Sequence, residues 1–240
     1  MRFEGLVERL RRTEDPLVRR ALLRGRGWLH YAVRGHIVRR RTLARYLAST
    51  SDPKLQIGAG PTRIDGWLNT DLITGDLYLD LERRLPFPHR SFAYVFGEHV
   101  IEHLPDTKCD RLLAEIHRVL RPGGVVRLTT PDLRKIIAIY EDRNPVVGRE
   151  EYARFLDRET GKAHTQPAQL LNDYLRLWGH RYVYDEDDLT ARLEAAGFVG
   201  VRRHETGESP HEALRGLESH GGAPWVNRAE AMCIEASRPA

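Results

Sequence analysis

Residues 54–60 read Lys54-Leu55-Gln56-Ile57-Gly58-Ala59-Gly60, four residues of strand texture running straight into a G-x-G turn. Glycines at such a place let a ligand approach backbone N–H groups, because no Cβ stands in the way. Alone, the pair marks a plain turn as readily as a ligand loop. The next two strands decide between them. Trp67–Asp71 and Asp76–Asp80 also read as short strands, and each ends in an acid. An acid at a strand end can accept hydrogen bonds from both hydroxyls of a ribose. Three strand ends carrying Gly, Asp and Asp therefore point to a nucleoside. Only 13 residues separate Gly58 from Asp71, against about 20 in dinucleotide binders, and the third glycine of that fingerprint is missing. No pyrophosphate cradle is expected.

Outward from this stretch, short strands alternate with helices, the pattern of a parallel sheet covered on both faces. Phe92–Phe96 reads as strand 4. Residues 107–120 place Cys109, Leu112, Leu113, Ile116, Val119 and Leu120 on one face of a helix that Arg121-Pro122-Gly123-Gly124 should stop. Val125–Thr130 is strand 5, and Asp132–Asp142 reads as helix. Asp185 as N-cap with Asp188 three residues on, Leu189 and Leu193 on one face, and Gly197 beyond define another helix. Val199–Arg203 and Ala229–Ser237 read as the last two strands. Residues 143–180 form a polar insertion longer than a connection needs, expected to shape a binding site. The expected domains are a basic helical extension over residues 1–50 and an α/β domain over 51–240.

The 240 residues, 41% hydrophobic and 30% charged, suffice for one such domain with its extension and exclude a disordered or membrane-spanning chain. Cys109 and Cys233 are too few and too far apart for a disulfide or zinc framework. With no signal-peptide pattern at the N-terminus, a cytoplasmic location is expected. The net charge of +4 is uneven: residues 1–50 hold 13 arginines against four acids, a balance of +9 that leaves −5 for the rest. From Pro16 to Leu47 the apolar spacing predicts two basic amphipathic helices. They are expected to pack on the domain or cover its active site, with peripheral membrane contact, helped by Trp28 and Tyr31, as the second reading. A nucleic-acid partner is not expected, since no stacking aromatics interleave with the basic residues.

The sequence resembles the class I S-adenosylmethionine-dependent methyltransferases. The resemblance runs through Leu55 to Gly60, Asp71, Asp80-Leu81 with Leu85-Pro86-Phe87-Pro88, Ser91–Leu104 (SFAYVFGEHVIEHL), Leu120–Leu128 (LRPGGVVRL) and Ala195-Ala196-Gly197-Phe198. Within that family it looks most like small enzymes of polysaccharide and glycolipid gene clusters. It implies a Rossmann-like sheet of seven strands, mostly parallel, with the last strand antiparallel between strands 5 and 6. It implies S-adenosylmethionine as cofactor, with Gly58, Ala59 and Gly60 against the methionine part, Asp71 and Leu72 at the ribose, Asp80 and Leu81 flanking the adenine, and Glu98 at the rim. Gln56 stands where the family has an acid, and the first helix is shortened. The implied activity is O-methylation of a sugar hydroxyl on a polysaccharide, glycolipid or glycosylated metabolite. The alternatives are a metal-using RNA 2'-O-methyltransferase and a non-catalytic nucleoside-binding module.

Methyl transfer mainly requires positioning, and a hydroxyl acceptor also needs a base. The candidates are His99, just past strand 4, and His180 in Leu177-Trp178-Gly179-His180, with His164 upstream and Asp132 to orient either histidine. His99 and His180 are expected to face one cavity, the loop that carries His180 folding back over the cofactor's methyl group. His-Val-Ile-Glu-His (99–103) also spells H-x-x-E-H, a zinc-protease signature, which is rejected because it follows a strand instead of lying within a helix. A related E-x-x-E-H string binds a divalent ion in small-RNA 2'-O-methyltransferases and ubiquinone-pathway O-methyltransferases, and His99, Glu102 and His103 occupy its positions. The favoured reading assigns no metal, with Glu102 and His103 bracing the turn.

Overall fold

The computed structural model describes residues 39–219 and 224–240. Seven strands form one sheet in the order β3-β2-β1-β4-β5-β7-β6. They are β1 (Lys54–Ile57), β2 (Leu68–Asp71), β3 (Leu77–Tyr78), β4 (Phe92–Glu98), β5 (Leu120–Pro131), β6 (Val199–His204) and β7 (Ala231–Ser237). The first five pair in parallel, while β7 runs antiparallel to both β5 and β6. This is the seven-stranded, mostly parallel Rossmann-like architecture. Strand order reverses between β1 and β4, where ligands of open α/β sheets bind.

Alternation along the strands builds two cores. On one face Val95, Val126 and Leu128 meet Leu112, Leu113 and Ile116 of helix α2 (Asp106–Val119) and Leu189 and Leu193 of α6 (Glu186–Ala195). On the other, Phe96 and Val125 pack with Trp67 and Leu214. Arg127 shares that second face and is fully buried, its guanidinium bonding Glu218 at 2.6 Å and Glu235 at 2.7 Å. A smaller core joins α3 (Leu133–Tyr140) to α4 (Arg149–Thr160) and α5 (Pro167–Arg176) through Ile136, Ile139, Tyr152, Leu156, Leu170 and Tyr174. The polar insertion is thus helical, and a short helix, α7 (Pro224–Glu230), adds Ala229 to its core.

Two local expectations change. Arg121-Pro122-Gly123-Gly124 does not separate helix from strand: β5 begins at Leu120, and pairing with β4 jumps from Phe92–Leu120 to Tyr94–Val125 across an irregularity. Gly123 N–H donates to Arg238 O and Arg238 N–H to Gly124 O, so this bulge is hydrogen-bonded to the chain beyond β7. The first helix is absent altogether, residues 58–67 being turns and loop. A helix upstream, α1, described from residue 39 to 49, lies against this region. Its Leu43 is buried in the main core, and Tyr46 Oη is 2.8 Å from both Lys54 N and Lys54 O and 3.0 Å from Gly66 O. The rest of the predicted arginine-rich helices lies outside the described residues. Among the described residues no helix is long and apolar enough to cross a membrane.

Candidate active site

At the carboxyl ends of β1 and β2 the working surface is mostly backbone. Gly58 and Gly60 take left-handed φ of 62° and 54°, which side chains resist. A Cβ on Gly58 would stand 2.3 Å from Val100 Cγ2, whereas one on Gly60 would meet nothing within 4 Å. Gly58 is therefore needed for close packing, and Gly60 borders open space. Asp71 is half-buried and ties this edge together: its Oδ2 accepts from Gly60 N at 3.1 Å and its Oδ1 from Ile73 N at 2.8 Å. Ala59 N–H is spent on Thr70 O. Asp80 is buried, accepting from Glu82 N at 3.1 Å and facing Arg83 Nε at 3.2 Å, with Leu72 and Leu81 half-buried nearby in sequence.

Beyond β4 the character changes to converging side chains. A 3-10 turn, Ile101–His103, presents Glu102 and His103, and Glu102 is fully buried. Its Oε1 lies 3.2 Å from His99 Nδ1 and its Oε2 accepts from Thr130 Oγ1 at 3.1 Å. The other ring nitrogen of His99, Nε2, faces Asn227 Oδ1 at 2.9 Å. Asn227 Nδ2 donates to Glu98, which fixes that amide's orientation. Both nitrogens of His99 therefore meet acceptors, and only the imidazolium can donate to both. Burial opposes that charge, but Glu102 outweighs it and lifts His99 to about 9. Glu102 is likewise held down to about 2, its burial overcome by His99 and the neighbouring histidines.

His180 reaches the same place from the end of the insertion. The backbone carbonyl of Glu102 accepts from Arg181 N at 2.8 Å and Tyr182 N at 3.2 Å, which brings the loop onto the 3-10 turn. His180 Nδ1 donates to Tyr174 O at 2.9 Å, leaving the lone pair on Nε2. Burial lowers this imidazole to about 4, so it is neutral at ordinary pH. Its ring centroid is 5.3 Å from that of His103 and 5.7 Å from that of Trp178, an exposed indole held at φ 56°.

His99 and His180 both lie beside Glu102, His99 Nδ1 at 3.2 Å from its Oε1 and a His180 ring nitrogen within 4.8 Å of a carboxylate oxygen. The contacts of His99 do not favour the expected base role, since both of its ring nitrogens face acceptors, Glu102 Oε1 and Asn227 Oδ1. Asp132 is corrected. Its carboxylate caps α3 through Arg134 N and Lys135 N and pairs with Arg203 at 2.7 Å, and no histidine among the described residues is bonded to it. His164 sits in the insertion, its ring nitrogens 2.8 Å from Asp157 and 3.2 Å from Asp173, where it clamps α4 to α5. Glu98 anchors the far chain, accepting from Ser219 N at 2.9 Å and Asn227 Nδ2 at 2.8 Å.

A family model described as a methyltransferase domain matches residues 59–202. The chain belongs to this methyltransferase family. A 43-residue stretch is 44% identical to phosphoethanolamine N-methyltransferase 2 of Caenorhabditis elegans, covering 18% of this chain and 9% of that protein. Among solved structures, phosphoethanolamine N-methyltransferase 2 of Haemonchus contortus in complex with S-adenosyl-L-methionine is 15% identical, with a TM-score of 0.45 over 86% of this chain and 53% of that one. A SAM-dependent methyltransferase from Archaeoglobus fulgidus is 16% identical, with a TM-score of 0.46 over 88% of this chain and 98% of that one. This methyltransferase thus spans about half of the first of these structures and a small part of the curated relative.

The residues of this methyltransferase fit S-adenosylmethionine on their own chemistry. The open space over Gly60 admits a ligand against the backbone, and Asp71, only half-buried, has lone pairs to spare beyond its present bonds. Gly58, Gly60 and Asp71 would hold the methionine and ribose parts, and Asp80 with Leu81 would border the base. Asn227 and Thr130 were not foreseen. Neither carries a local signal, because each matters through a partner far away in sequence.

Proposed function

We propose that this methyltransferase uses S-adenosylmethionine to methylate a hydroxyl oxygen of a carbohydrate acceptor. The observation that carries the reading is His180: a neutral imidazole with a free Nε2 lone pair, set past the carboxyl edge of the sheet beside an exposed indole. When bound, S-adenosylmethionine supplies an electrophilic methyl carbon. A hydroxyl acceptor must shed a proton as its oxygen takes that carbon, unlike an amine, which can lose its proton afterwards. The lone pair of His180 serves that need, either by taking the proton or by holding an ion that makes the hydroxyl acidic. His99, cationic and fully engaged, positions Glu102 and holds Asn227. Trp178 offers an apolar face on which a sugar ring can lie, with His180 next to it. Keeping Trp178 in a left-handed conformation costs about 1–3 kcal/mol, the kind of strain that clusters at ligand clamps.

The test is a product screen: the full chain with S-adenosylmethionine against glycans, glycolipids, small alcohols, amines and RNA, reading S-adenosylhomocysteine release and the methylated product. Methyl ethers on sugars support the reading. Turnover confined to amines or RNA replaces the acceptor, and S-adenosylhomocysteine binding without turnover on any acceptor favours the non-catalytic module.

A further inference from the structure

Glu102, His103 and His180 each bring one ligating atom into a group in which all three atoms lie within 4.8 Å of one another. Two of them are neighbours on the 3-10 turn after β4. The third is delivered from about eighty positions on, by the bonds from Arg181 N and Tyr182 N to Glu102 O. Donors around one ion stand roughly 3–3.5 Å apart at bond lengths of about 2.0–2.2 Å. Small ring rotations of His103 and His180 would close that difference.

The outer contacts are those that prepared ligands need. A metal-binding imidazole donates its other N–H to a carbonyl or carboxylate, which fixes tautomer and ring direction. His180 does so to Tyr174 O, leaving Nε2 bare toward Glu102 and His103, and it makes no other hydrogen bond among the described residues. The Glu102 carboxylate is steered by Thr130 Oγ1 on one oxygen and His99 on the other. A purely structural cluster would not explain His180: bracing the turn uses its backbone neighbours and Nδ1, and gives Nε2 no work.

We infer that Glu102, His103 and His180 form a binding site for one divalent first-row transition ion. The ligand set is corrected from the one the H-x-x-E-H string suggests, with His180 replacing His99, which stands behind the carboxylate. Two imidazoles and one carboxylate suit zinc, iron, cobalt or manganese over magnesium or calcium, which favour all-oxygen shells. Three protein ligands leave coordination positions open for water or an acceptor oxygen. The site stands whatever the acceptor of the methyl group proves to be.

The experiment strips the full chain with chelator and titrates it separately with Zn2+, Mn2+ and Co2+, reading bound metal by equilibrium dialysis and the visible absorption of the Co2+ form. About one ion per chain is expected, with a Co2+ spectrum typical of nitrogen and oxygen ligands. Outer-shell changes typically cost 10–100-fold in metal affinity, so His103→Ala and His180→Ala should each weaken binding at least about tenfold. His89→Ala, an exposed histidine on the loop entering β4 at the opposite edge of the sheet, should leave it unchanged. Should either site variant fail to fold by circular dichroism, the wild-type stoichiometry and Co2+ spectrum decide. No stoichiometric binding of any of the three ions, or binding that persists unweakened in folded His103→Ala and His180→Ala proteins, overturns the site. Because binding is read without acceptor or cofactor, failure here leaves the methyltransferase reading intact, and absence of sugar methylation leaves the ion site intact.

Discussion

At the ends of β1 and β2 the surface that faces a ligand is made of peptide groups, two left-handed glycines and one carboxylate bonded to the N–H groups around it. Past β4 it is made of titratable side chains: the imidazolium of His99, the carboxylate of Glu102 on the 3-10 turn and the neutral imidazole of His180 from the insertion, with partners from β5 and α7. The first edge presents a shape that backbone geometry sets cheaply. The second holds charge away from water, where each ion depends on its partner. The difference separates a surface that can be altered with modest loss of stability from one whose parts stand or fall together.

Four substitutions probe the second region and one the first. The largest effect is expected for Glu102→Gln, which leaves the buried imidazolium of His99 without its counter-charge; urea unfolding should show about 3–5 kcal/mol lost. Destabilisation of under 1 kcal/mol would mean that the pair is not held as described. His180→Ala should cut turnover by about a hundredfold or more while S-adenosylhomocysteine affinity stays near wild type. A loss of cofactor affinity on the same scale would erase the boundary between the regions.

The third expectation concerns pH. Glu230 is pushed up from 4.5 to about 7, burial overcoming the hydrogen bond from Tyr152 and the field of His99. A carboxyl raised on folding holds its proton more tightly in the folded state. Its contribution is therefore fully present below about pH 4.5 and lost as pH rises through about 7. Unfolding curves from pH 4 to 8 should show wild type losing on the order of 2–3 kcal/mol relative to Glu230→Gln across that window. A difference that stays flat with pH would place Glu230 in water.

On the other side of the comparison, Asp71→Ala should weaken S-adenosylhomocysteine binding by about 1–3 kcal/mol with turnover recovered at saturating cofactor, and unchanged affinity in calorimetry would show Asp71 to be misassigned. The smallest effect is expected for Trp178→Ala: about 1 kcal/mol in KM for the sugar acceptor, with kcat kept. A fall in kcat with KM unmoved would make the indole a support for His180 instead of an acceptor platform.

The two regions also differ in how far they could be read from the chain. Gly58, Gly60, Asp71 and Asp80 lie directly at the ends of short strands, so texture and chemistry lie side by side in the sequence. His180 could be placed at the right edge but not in contact, because the bond from Arg181 N to Glu102 O has no sequence signature. Asp132 was misread for a related reason. Its capping role was visible at the start of a helix, but Arg203, its ion-pair partner from β6, is 71 residues away. The missing helix after β1 had a readable cause: Pro61 and the Asp65-Gly66 pair are turn signals that leave too little room for helical turns.

The wedge position of β7 has a consequence for synthesis. A ribosome releases β5 and then β6 well before β7, and the two are not neighbours: β7 must enter between them and pair with both. Until it does, two rows of unsatisfied backbone groups face water or a chaperone, and Arg127 stands on β5 without Glu235. The nascent chain therefore passes through a stage in which the nucleoside-facing half of the sheet can close while the other half waits open. Unfolded intermediates of this protein should pair wrongly at that seam before they do so anywhere else.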